Sequence, residues 1–432
     1  MLIEFRVSNY RSVAEEQVLS MVPAKGQSDY PSNIFTTGKY EVLNSIGLYG
    51  PNNSGKTNLL RALDIFDRVV FLSVRSNSTT KLPYDPNLLI EGYAEEPCKM
   101  EITFIIEGTR YRYGFEFNQL HILKEWLHRK KAGREVEVFY REKDVIEVSS
   151  AFEGNAKLID AAIEATRDNA LFLSFCDMLN IKEAKVIFSW FRKLVNVDGL
   201  SMDSETINTI SLFTSKQEYR DRILRQLQGF NLKFLDIEIE DIEIDSSLFP
   251  KNLSPGLVEK LSGVKGYQVY SIRQTYKRDG TLRNEKIKWP FDERESQGTN
   301  KMFSLSGPVI FALLNGGVLV VDEIEAKLHT KITGQIVDLF LSEKTNPHGA
   351  QLIFATHDTN LLKYAKLRRD QIIFVEQNKK EATEIYSLSD FTYFDGNKER
   401  PDTDKEKRYL EDRYGATPKL KNWDELTQTV LR

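Results

Sequence analysis

The sequence predicts an α/β fold, in which a phosphate-binding head is divided into two parts by a long insertion. First, residues 50–57 match the phosphate-loop pattern G-x-x-x-x-G-K-[ST] in full. Second, residues 318–321 form an apolar run that ends in Asp322 and Glu323, as a buried parallel strand would. Third, more than two hundred residues lie between these two features, and they change from a β-rich to a helical pattern. The insertion is therefore predicted to contain an antiparallel β subdomain and a helical arm.

The phosphate loop lies where its chemistry requires. Residues 45–49 form a short apolar run that predicts a strand, and residues 58–63 favour a helix. At average residue usage, a chain of this length would match the loop pattern by chance on the order of 0.01 times. Backbone N–H groups at a helix N-terminus bind anions, so the loop predicts a nucleoside triphosphate site. The expected nucleotide-binding residues are Gly50, Asn52, Asn53, Ser54, Gly55, Lys56 and Thr57, with Thr57 also offering its hydroxyl to Mg²⁺.

Composition excludes several classes of protein. With 432 residues and a net charge of −4, the chain is not a globally basic nucleic-acid binder. Its two cysteines have no metal-binding or redox spacing. Charged residues near the N-terminus do not resemble a signal peptide, and the most apolar stretch, residues 309–321, is too short to span a bilayer. We expect a cytoplasmic protein without a membrane segment.

The patterns in the first part of the chain predict the first part of the head, followed by the β insertion. Residues 1–75 are assigned to the head, with strands at 2–7 and 18–22 before the phosphate loop. Residues 76–152 are assigned to the β insertion, because an irregular segment (73–96) leads into alternating patterns. The predicted strands, about four in one sheet with a solvated face, are residues 100–104, 111–117, 123–129 and 136–141.

Helical spacing marks the arm, and the second part of the head follows it. Residues 153–233 are assigned to the arm, with helices at 158–165, 170–195, 205–213 and 218–227. Residues 234–400 return to the head. Their predicted strands are 234–245, 318–321, 351–355, 372–376 and 382–388, with a hairpin of 267–276 and 282–289, a helix at 301–314 broken by Pro308, and a helix at 331–341. Residues 401–432 form a charged tail, and we expect residues 396–407 to be mobile. Alternating isoleucines and acids in 234–245 indicate a solvated strand face and not a metal site.

Three polar groups follow apolar segments in the second part of the head. Asp322 is predicted to hold Mg²⁺ through water, and Glu323 to orient and deprotonate the attacking water. His357 follows the apolar run 351–355 after Thr356, and it is predicted to be a catalytic residue that contacts the γ-phosphate and the attacking water; a histidine that only caps the strand is the alternative. Ser296 and Gly298 precede a helix and could offer donors to an anion, although in isolation they are only a helix N-cap.

In this order these residues resemble the SMC- and RecF-like ABC ATPases. Residues 5–12 look like that family's opening strand and its Asn-aromatic-Arg-Ser turn. The closest similarity is to bacterial abortive-infection ATPases of the RloA and AbiL type, and more loosely to the PARIS and OLD defence ATPases. It covers nearly the whole chain, through Glu125-Trp126-Leu127, residues 169–174, residues 295–299, residues 322–325 and residues 409–418.

The resemblance implies two heads that close around two ATP molecules. Ser296 and Gly298 would then contact the γ-phosphate bound by the partner head, Arg11 would lie near the phosphates, and residues 325–329 would link the two sites. The chain departs from the family pattern where Ala326-Lys327 replaces the usual small serine. No Q-loop glutamine can be assigned from the sequence.

Three functions remain open at this stage. The first is a slow ATPase switch, a homodimer or larger even-numbered oligomer that uses ATP and Mg²⁺ and acts with a separate Toprim-like or other nuclease effector in antiphage defence. The second is a RecF-like DNA-repair ATPase, for which residues 129–134 and 277–288 offer basic side chains. The third is a self-contained nuclease, but Asp402-x-Asp404 follows no apolar strand and does not fit a Toprim domain.

Overall fold

The computed structural model describes residues 1–201, 203–243, 265–393, 398–400 and 402–418. It divides into two compact units. Unit 1 comprises Met1–Leu200, Ala312–Ala326 and Thr333–Arg432, and unit 2 comprises Ser201–Phe311 and Lys327–Ile332. The boundaries of these two units differ from those of the five domains predicted from the sequence, and the five domain boundaries remain predictions.

A parallel sheet forms the centre of unit 1. In spatial order its strands are β11 (Leu194–Asp198), β15 (Val318–Asp322), β16 (Gln351–Thr356), β5 (Ser45–Tyr49), β17 (Ile372–Gln377) and β18 (Thr383–Ser387). All neighbours pair in parallel except β17 and β18, which are antiparallel. The strands β5 and β16 are buried along their whole length, as expected for parallel strands covered on both faces. The predicted α/β fold is therefore confirmed.

Helix α1 (Lys56–Leu72) links this sheet to a second one. Leu59, Leu63, Phe66 and Val70 recur at helical spacing and are all buried. Phe66 stacks on Phe115 of the second sheet, with ring centroids 5.2 Å apart. Head and β insertion consequently share one hydrophobic core in unit 1.

The second sheet is antiparallel and larger than predicted. Its order is β10 (Val145–Val148), β9 (Val136–Glu142), β8 (Ile122–Lys130), β7 (Thr109–Phe117), β6 (Cys98–Ile106), β1 (Leu2–Ser8) and β2 (Gln17–Ser20). The four predicted insertion strands are present, but they continue the N-terminal strand pair instead of forming a separate sheet. One face of β6 is apolar, whereas Glu101 and Thr103 on the other face line a polar cleft of about 1000 Å³. A short ribbon of β3 (Ile34–Thr37) and β4 (Tyr40–Leu43) completes the strands of the N-terminal part.

The predicted helix at 170–195 is wrong in its last part. The structure has α2 (Ala156–Ala165), α3 (Phe172–Met178) and α4 (Lys182–Phe191), followed by strand β11. The β-branched residues Val195 and Val197 continue the apolar pattern of α4, but they pair in parallel with β15. The edge strand of the central sheet therefore comes from the segment that was assigned to the arm.

The described part of unit 2 contains three complete helices, a three-stranded sheet and most of a fourth, longer helix. These elements are α5 (Asp203–Ser215), α6 (Gln217–Gly229), β12 (Asp236–Glu243), β13 (Lys265–Tyr276), β14 (Leu282–Pro290), α7 (Phe291–Arg294) and α8 (Gln297–Asn315) as far as Phe311. The strand and hairpin predictions are confirmed where residues are described, and residues 244–245 of the predicted strand lie outside the described residues.

The predicted break at Pro308 is wrong, because α8 continues through it. Proline leaves the carbonyl of Ser304 without its helical donor, and the Thr209 hydroxyl donates to that carbonyl at 2.7 Å.

The C-terminal segment packs against the central sheet where it is described. After α9 (Thr330–Leu341) and α10 (Leu361–Tyr364), helix α11 (Lys405–Leu410) places Tyr409 against Phe374 of β17. Glu399 is buried and accepts hydrogen bonds from Tyr414 and Arg408. The expected mobility of residues 396–407 stays a prediction; the described residues of that range include the start of α11 and the contacts of Glu399, and residues 396, 397 and 401 lie outside them.

Candidate nucleotide-binding site

The phosphate loop runs from the end of β5 to the start of α1, and its two outer glycines have no room for a side chain. A Cβ on Gly50 would overlap the carbonyl oxygen of Val375, and one on Gly55 would overlap the Thr383 hydroxyl. Gly55 also has φ +102°, a conformation that glycine adopts readily. Asn52, Asn53 and Thr57 are exposed around the loop, and Asn53 has φ +64°. The loop thus presents an accessible concave backbone ahead of a helix N-terminus.

Lys56 is the first residue of α1, and its side chain reaches back to the start of the loop. Its ammonium group donates to the carbonyl oxygens of Gly50 at 2.7 Å and Pro51 at 2.9 Å. Burial lowers the pKa of Lys56 to about 8, while the carboxylates of Asp322, Glu325 and Glu323 oppose this shift. A buried cation beside the N-terminus of a helix is suited to binding the oxygens of a polyphosphate.

Asp322 lies at the carboxyl end of β15, and in open α/β sheets ligands bind at the carboxyl ends of the strands. Its carboxylate accepts a hydrogen bond from Thr57, the second residue of α1. Burial raises the pKa of Asp322, and the hydrogen bond from Thr57 opposes the shift. Among the described residues its Oδ1 atom is buried without a hydrogen-bond partner. A hydroxyl beside an unsatisfied carboxylate oxygen is a suitable pair of oxygen donors for Mg²⁺.

Glu323 turns the chain sharply after β15. It has φ +48°, the left-handed conformation that is uncommon for residues other than glycine. The turn is held from the neighbouring strand, because the Gly199 N–H donates to the Asp322 carbonyl at 2.9 Å. A Cβ on Gly199 would overlap the carbonyl oxygens of both Asp322 and Glu323. The local backbone therefore directs Glu323 away from the line of the strand, at the same edge as the phosphate loop.

His357 follows β16, the strand between β15 and β5. Its backbone N–H donates to Glu325 Oε1 at 2.6 Å, and its side chain is exposed. Partial burial and the Lys56 ammonium hold the pKa of His357 below its ordinary value. Lys56, Asp322 and His357 thus come from three adjacent strands or the loops that follow them, and they interact electrostatically.

The turn after β1 that contains Arg11 and Ser12 lies close to the phosphate loop and the start of α1. Arg11 donates to Asp85 at 2.6 Å and reaches the Asn58 side chain of α1 at 3.5 Å. Ser12 lies 2.8 Å from the Thr383 hydroxyl, which in turn donates to the Ser54 carbonyl at 3.1 Å. Arg11 therefore lies beside the first turn of α1, although its nearest charged partner is Asp85.

Ser296 and Gly298 belong to unit 2, at the start of α8. The Ser296 hydroxyl accepts from the Thr299 N–H at 3.1 Å, which is the geometry of a helix N-cap. Glu295, immediately before it, accepts from Arg273, Ser271 and Trp289 of the hairpin. The helix start is thus fixed on its own sheet, and the role of Ser296 and Gly298 toward a second head stays a prediction.

Four of the nine basic residues considered for DNA binding have acidic partners: Arg129, Lys131, Arg283 and Lys288. Arg129 is buried against Glu183 at 2.6 Å, and Lys288 lies 2.9 Å from Glu238. Asp404, considered for a nuclease site, is the N-cap of α11 and accepts from the Lys407 N–H.

Residues 45–363 match the family described as "AAA domain, putative AbiEii toxin, Type IV TA system". The match covers more than half of the chain and includes the phosphate loop, Asp322, Glu323 and His357. The chain belongs to this family. Membership of an AAA domain family implies nucleotide binding, which agrees with the geometry of the loop. The finer assignment to the RloA or AbiL type remains a prediction.

Several solved structures are similar to the chain at low sequence identity. The SMC head domain from Thermotoga maritima is 11% identical, with 89% of this chain and 98% of that chain covered and a TM-score of 0.39. The recombination mediator RecF with ATP is 14% identical, with 83% and 94% covered and a TM-score of 0.32. The ATP-binding cassette MJ0796, a dimer bound to ADP and Pi, is 10% identical, with 90% and 100% covered and a TM-score of 0.31.

No curated protein matches the chain. Within the residues that the structure describes, no helix has the length and apolar character needed to cross a bilayer.

Two residues near the site were not predicted. Gly199 supports the turn at Glu323, and Asp198 at the end of β11 lies opposite Asp322 in the strand register. Glu325 was expected by resemblance to belong to a loop that links two sites, and its contact with His357 of the same chain was not predicted. Asp198 and Gly199 could have been found only by recognising 194–198 as a strand.

Proposed function

We propose that the chain binds ATP with Mg²⁺ and hydrolyses it to ADP and phosphate. The observation that carries the proposal is the meeting of Lys56, Asp322 and His357 at one edge of three adjacent parallel strands, in a family of AAA domains. In open α/β sheets this edge is where ligands bind.

Each side chain has a role that its position supports. The loop N–H groups and Lys56 would bind the β- and γ-phosphates. Thr57 and Asp322 would hold Mg²⁺, and the metal would supply charge neutralisation at the phosphates. Glu323 orients the attacking water and accepts its proton. His357 donates toward the γ-phosphate.

We further propose that two heads pair around the nucleotide. Ser296 and Gly298 would offer a hydroxyl and a backbone N–H to the γ-phosphate bound by the partner head, and Arg11 would approach the phosphates of its own head. The N-cap position of Ser296 supports this role, because the first N–H groups of α8 lack helical partners and can bind an anion.

The biological role that we propose is an ATPase switch in a bacterial antiphage or abortive-infection system, in the cytoplasm. The description of the matched family, a putative AbiEii toxin, supports a role in defence. A separate nuclease-like effector, Toprim-like or of another type, would carry out the nucleic-acid chemistry, and its gene would lie next to that of this chain. DNA repair of the RecF kind is the alternative, and a DNA affinity that falls steeply with salt would favour it.

The test compares ATP binding and hydrolysis in the wild type and in Lys56→Ala, with Lys380→Ala in an exposed turn as a matched control. We expect Lys56→Ala to lose ATP binding, hydrolysis and any protection of cells against phage, while Lys380→Ala keeps all three. Hydrolysis by Lys56→Ala at the wild-type rate would reject the proposed site.

A further inference from the structure

Glu325 has no role in the mechanism proposed above, yet it connects two of the strands that form the site. Its Oε1 atom accepts the His357 N–H at 2.6 Å, and the Ile324 N–H donates to the Ala355 carbonyl at 3.2 Å. The regular pairing of β15 with β16 ends at Val321 and Phe354. These two hydrogen bonds therefore continue the connection beyond the strand ends, with a side-chain oxygen in place of a backbone carbonyl.

The second oxygen of Glu325 points to a role beyond this connection. Oε2 is buried and has no hydrogen-bond partner among the described residues. The Tyr49 hydroxyl, at the end of β5, is also buried without a hydrogen-bond partner among the described residues. Burial raises the pKa of Tyr49, and the negative charge of Glu325 raises it further. The same charge favours the protonated forms of Lys56 and His357 and so acts to raise their pKa values. Buried oxygens without partners are unfavourable, so a carboxylate kept in this position indicates a function at the site.

We propose that Glu325 is a positioning residue for ATP hydrolysis, which holds the His357 backbone so that the imidazole of the same chain is directed toward the terminal phosphate. The inference rests on the proposed ATPase function and deepens it. By resemblance, residues 325–329 were expected to act between two heads. The contact with His357 instead lies within unit 1 of one chain. A histidine on an unsupported loop would sample many positions, and a displacement of about 1 Å can cost about 10²-fold in rate.

Two variants of Glu325 distinguish the effect of its hydrogen bond to the His357 N–H from the effect of its negative charge. Glu325→Gln keeps a side-chain oxygen that can accept the His357 N–H, whereas Glu325→Ala removes the acceptor. We expect Glu325→Ala to lower kcat roughly 10- to 100-fold with ATP affinity within about threefold of wild type, and Glu325→Gln to recover most of that loss. Glu164→Ala, an exposed glutamate of α2, is the matched control and should leave kcat unchanged.

A double-mutant cycle tests whether Glu325 acts through His357. If it does, Glu325→Ala combined with His357→Ala should lower kcat no further than His357→Ala alone. A merely structural role predicts losses that multiply, together with a lower melting temperature for Glu325→Ala. Multiplied losses, or no loss in Glu325→Ala, overturn the inference.

Amide hydrogen exchange provides a measurement that does not require hydrolysis. The His357 N–H should exchange roughly 10- to 100-fold faster in Glu325→Ala than in wild type, and close to the wild-type rate in Glu325→Gln. Unchanged exchange in Glu325→Ala, with normal hydrolysis by the wild type, overturns the inference and leaves the ATPase function standing. Faster exchange in a protein whose wild type hydrolyses no ATP overturns the ATPase function, and keeps Glu325 as the residue that positions His357 toward another ligand.

Discussion

Replacing Glu399 by glutamine tests how the C-terminal segment is held against the central sheet. Glu399 is 2% exposed and accepts hydrogen bonds from Tyr414 at 2.8 Å, from Arg408 at 2.9 Å and from Tyr393. Tyr414 in turn stacks on Phe374 of β17. The carboxylate therefore organises the aromatic residues that cover the strand next to the phosphate-loop strand.

The charge of Glu399 has a defined effect on stability. Burial by itself would raise its pKa, but hydrogen bonds from Thr403, Tyr393 and Tyr414 lower the pKa of Glu399 to about 2 from the ordinary 4.5. A difference of about 2.5 pH units corresponds to roughly 3 kcal/mol of folding free energy. Because the pKa is lowered in the folded state, this stabilisation is complete above about pH 4.5 and is lost as the pH falls toward 2.

Urea unfolding of wild type and Glu399→Gln, followed by tryptophan fluorescence, measures how much the charge of Glu399 contributes to the free energy of unfolding. We expect wild type to exceed the variant by roughly 3 kcal/mol near pH 7, and the gap to shrink steadily between about pH 4.5 and 2. Glu411→Gln, a more exposed glutamate of the same segment, is the control and should show a small gap at every pH. A gap between wild type and Glu399→Gln that does not change with pH would refute the reasoning, since it would come from packing and not from ionisation.

Three further predictions concern the site and unit 2. Glu323→Gln should keep ATP binding, retain a nucleotide-bound dimer on gel filtration, and reduce hydrolysis by roughly 10²–10⁴-fold; normal turnover would reject Glu323 as the base. Ser296→Arg should prevent pairing of heads while a monomer still binds ATP, whereas Ser296→Ala removes only the N-cap; unchanged oligomeric state with full turnover would argue against a role toward a second head. Thr209→Val should destabilise unit 2 by about 1–3 kcal/mol in urea unfolding, because the Ser304 carbonyl loses its donor, while Thr214→Val on the exposed side of α5 serves as control.

Elements whose signal is local could be predicted from the sequence. The phosphate loop, the strand before it and the apolar run before Asp322 each depend on neighbouring residues, and the structure has all three. The hairpin of β13 and β14 was predicted from alternation and its Asp279-Gly280 turn, and it is present. In these segments propensity, pattern and turn chemistry favour the same structure.

The remaining features depend on partners distant in sequence. Helix α8 passes Pro308 because a hydroxyl nearly one hundred residues earlier satisfies the freed carbonyl. The segment around Glu399 packs against the central sheet because Tyr393 and Tyr414 converge on a carboxylate that composition alone marks as solvated. No periodicity within either segment could indicate these contacts.

The most consequential of these distant partners belongs to the insertion itself. Strand β11 ends opposite Asp322, and the next residue, Gly199, donates to the Asp322 carbonyl that precedes the turn at Glu323. Because a side chain at Gly199 would overlap this turn, the conformation of Glu323 depends on how closely the insertion returns to the sheet. A displacement of β11 would therefore release the left-handed turn and move the proposed catalytic carboxylate, without any change in the phosphate loop. The insertion thus contributes Gly199 to the edge of the sheet where the proposed ATP site lies, and we expect a displacement of β11 to lower the proposed ATP hydrolysis.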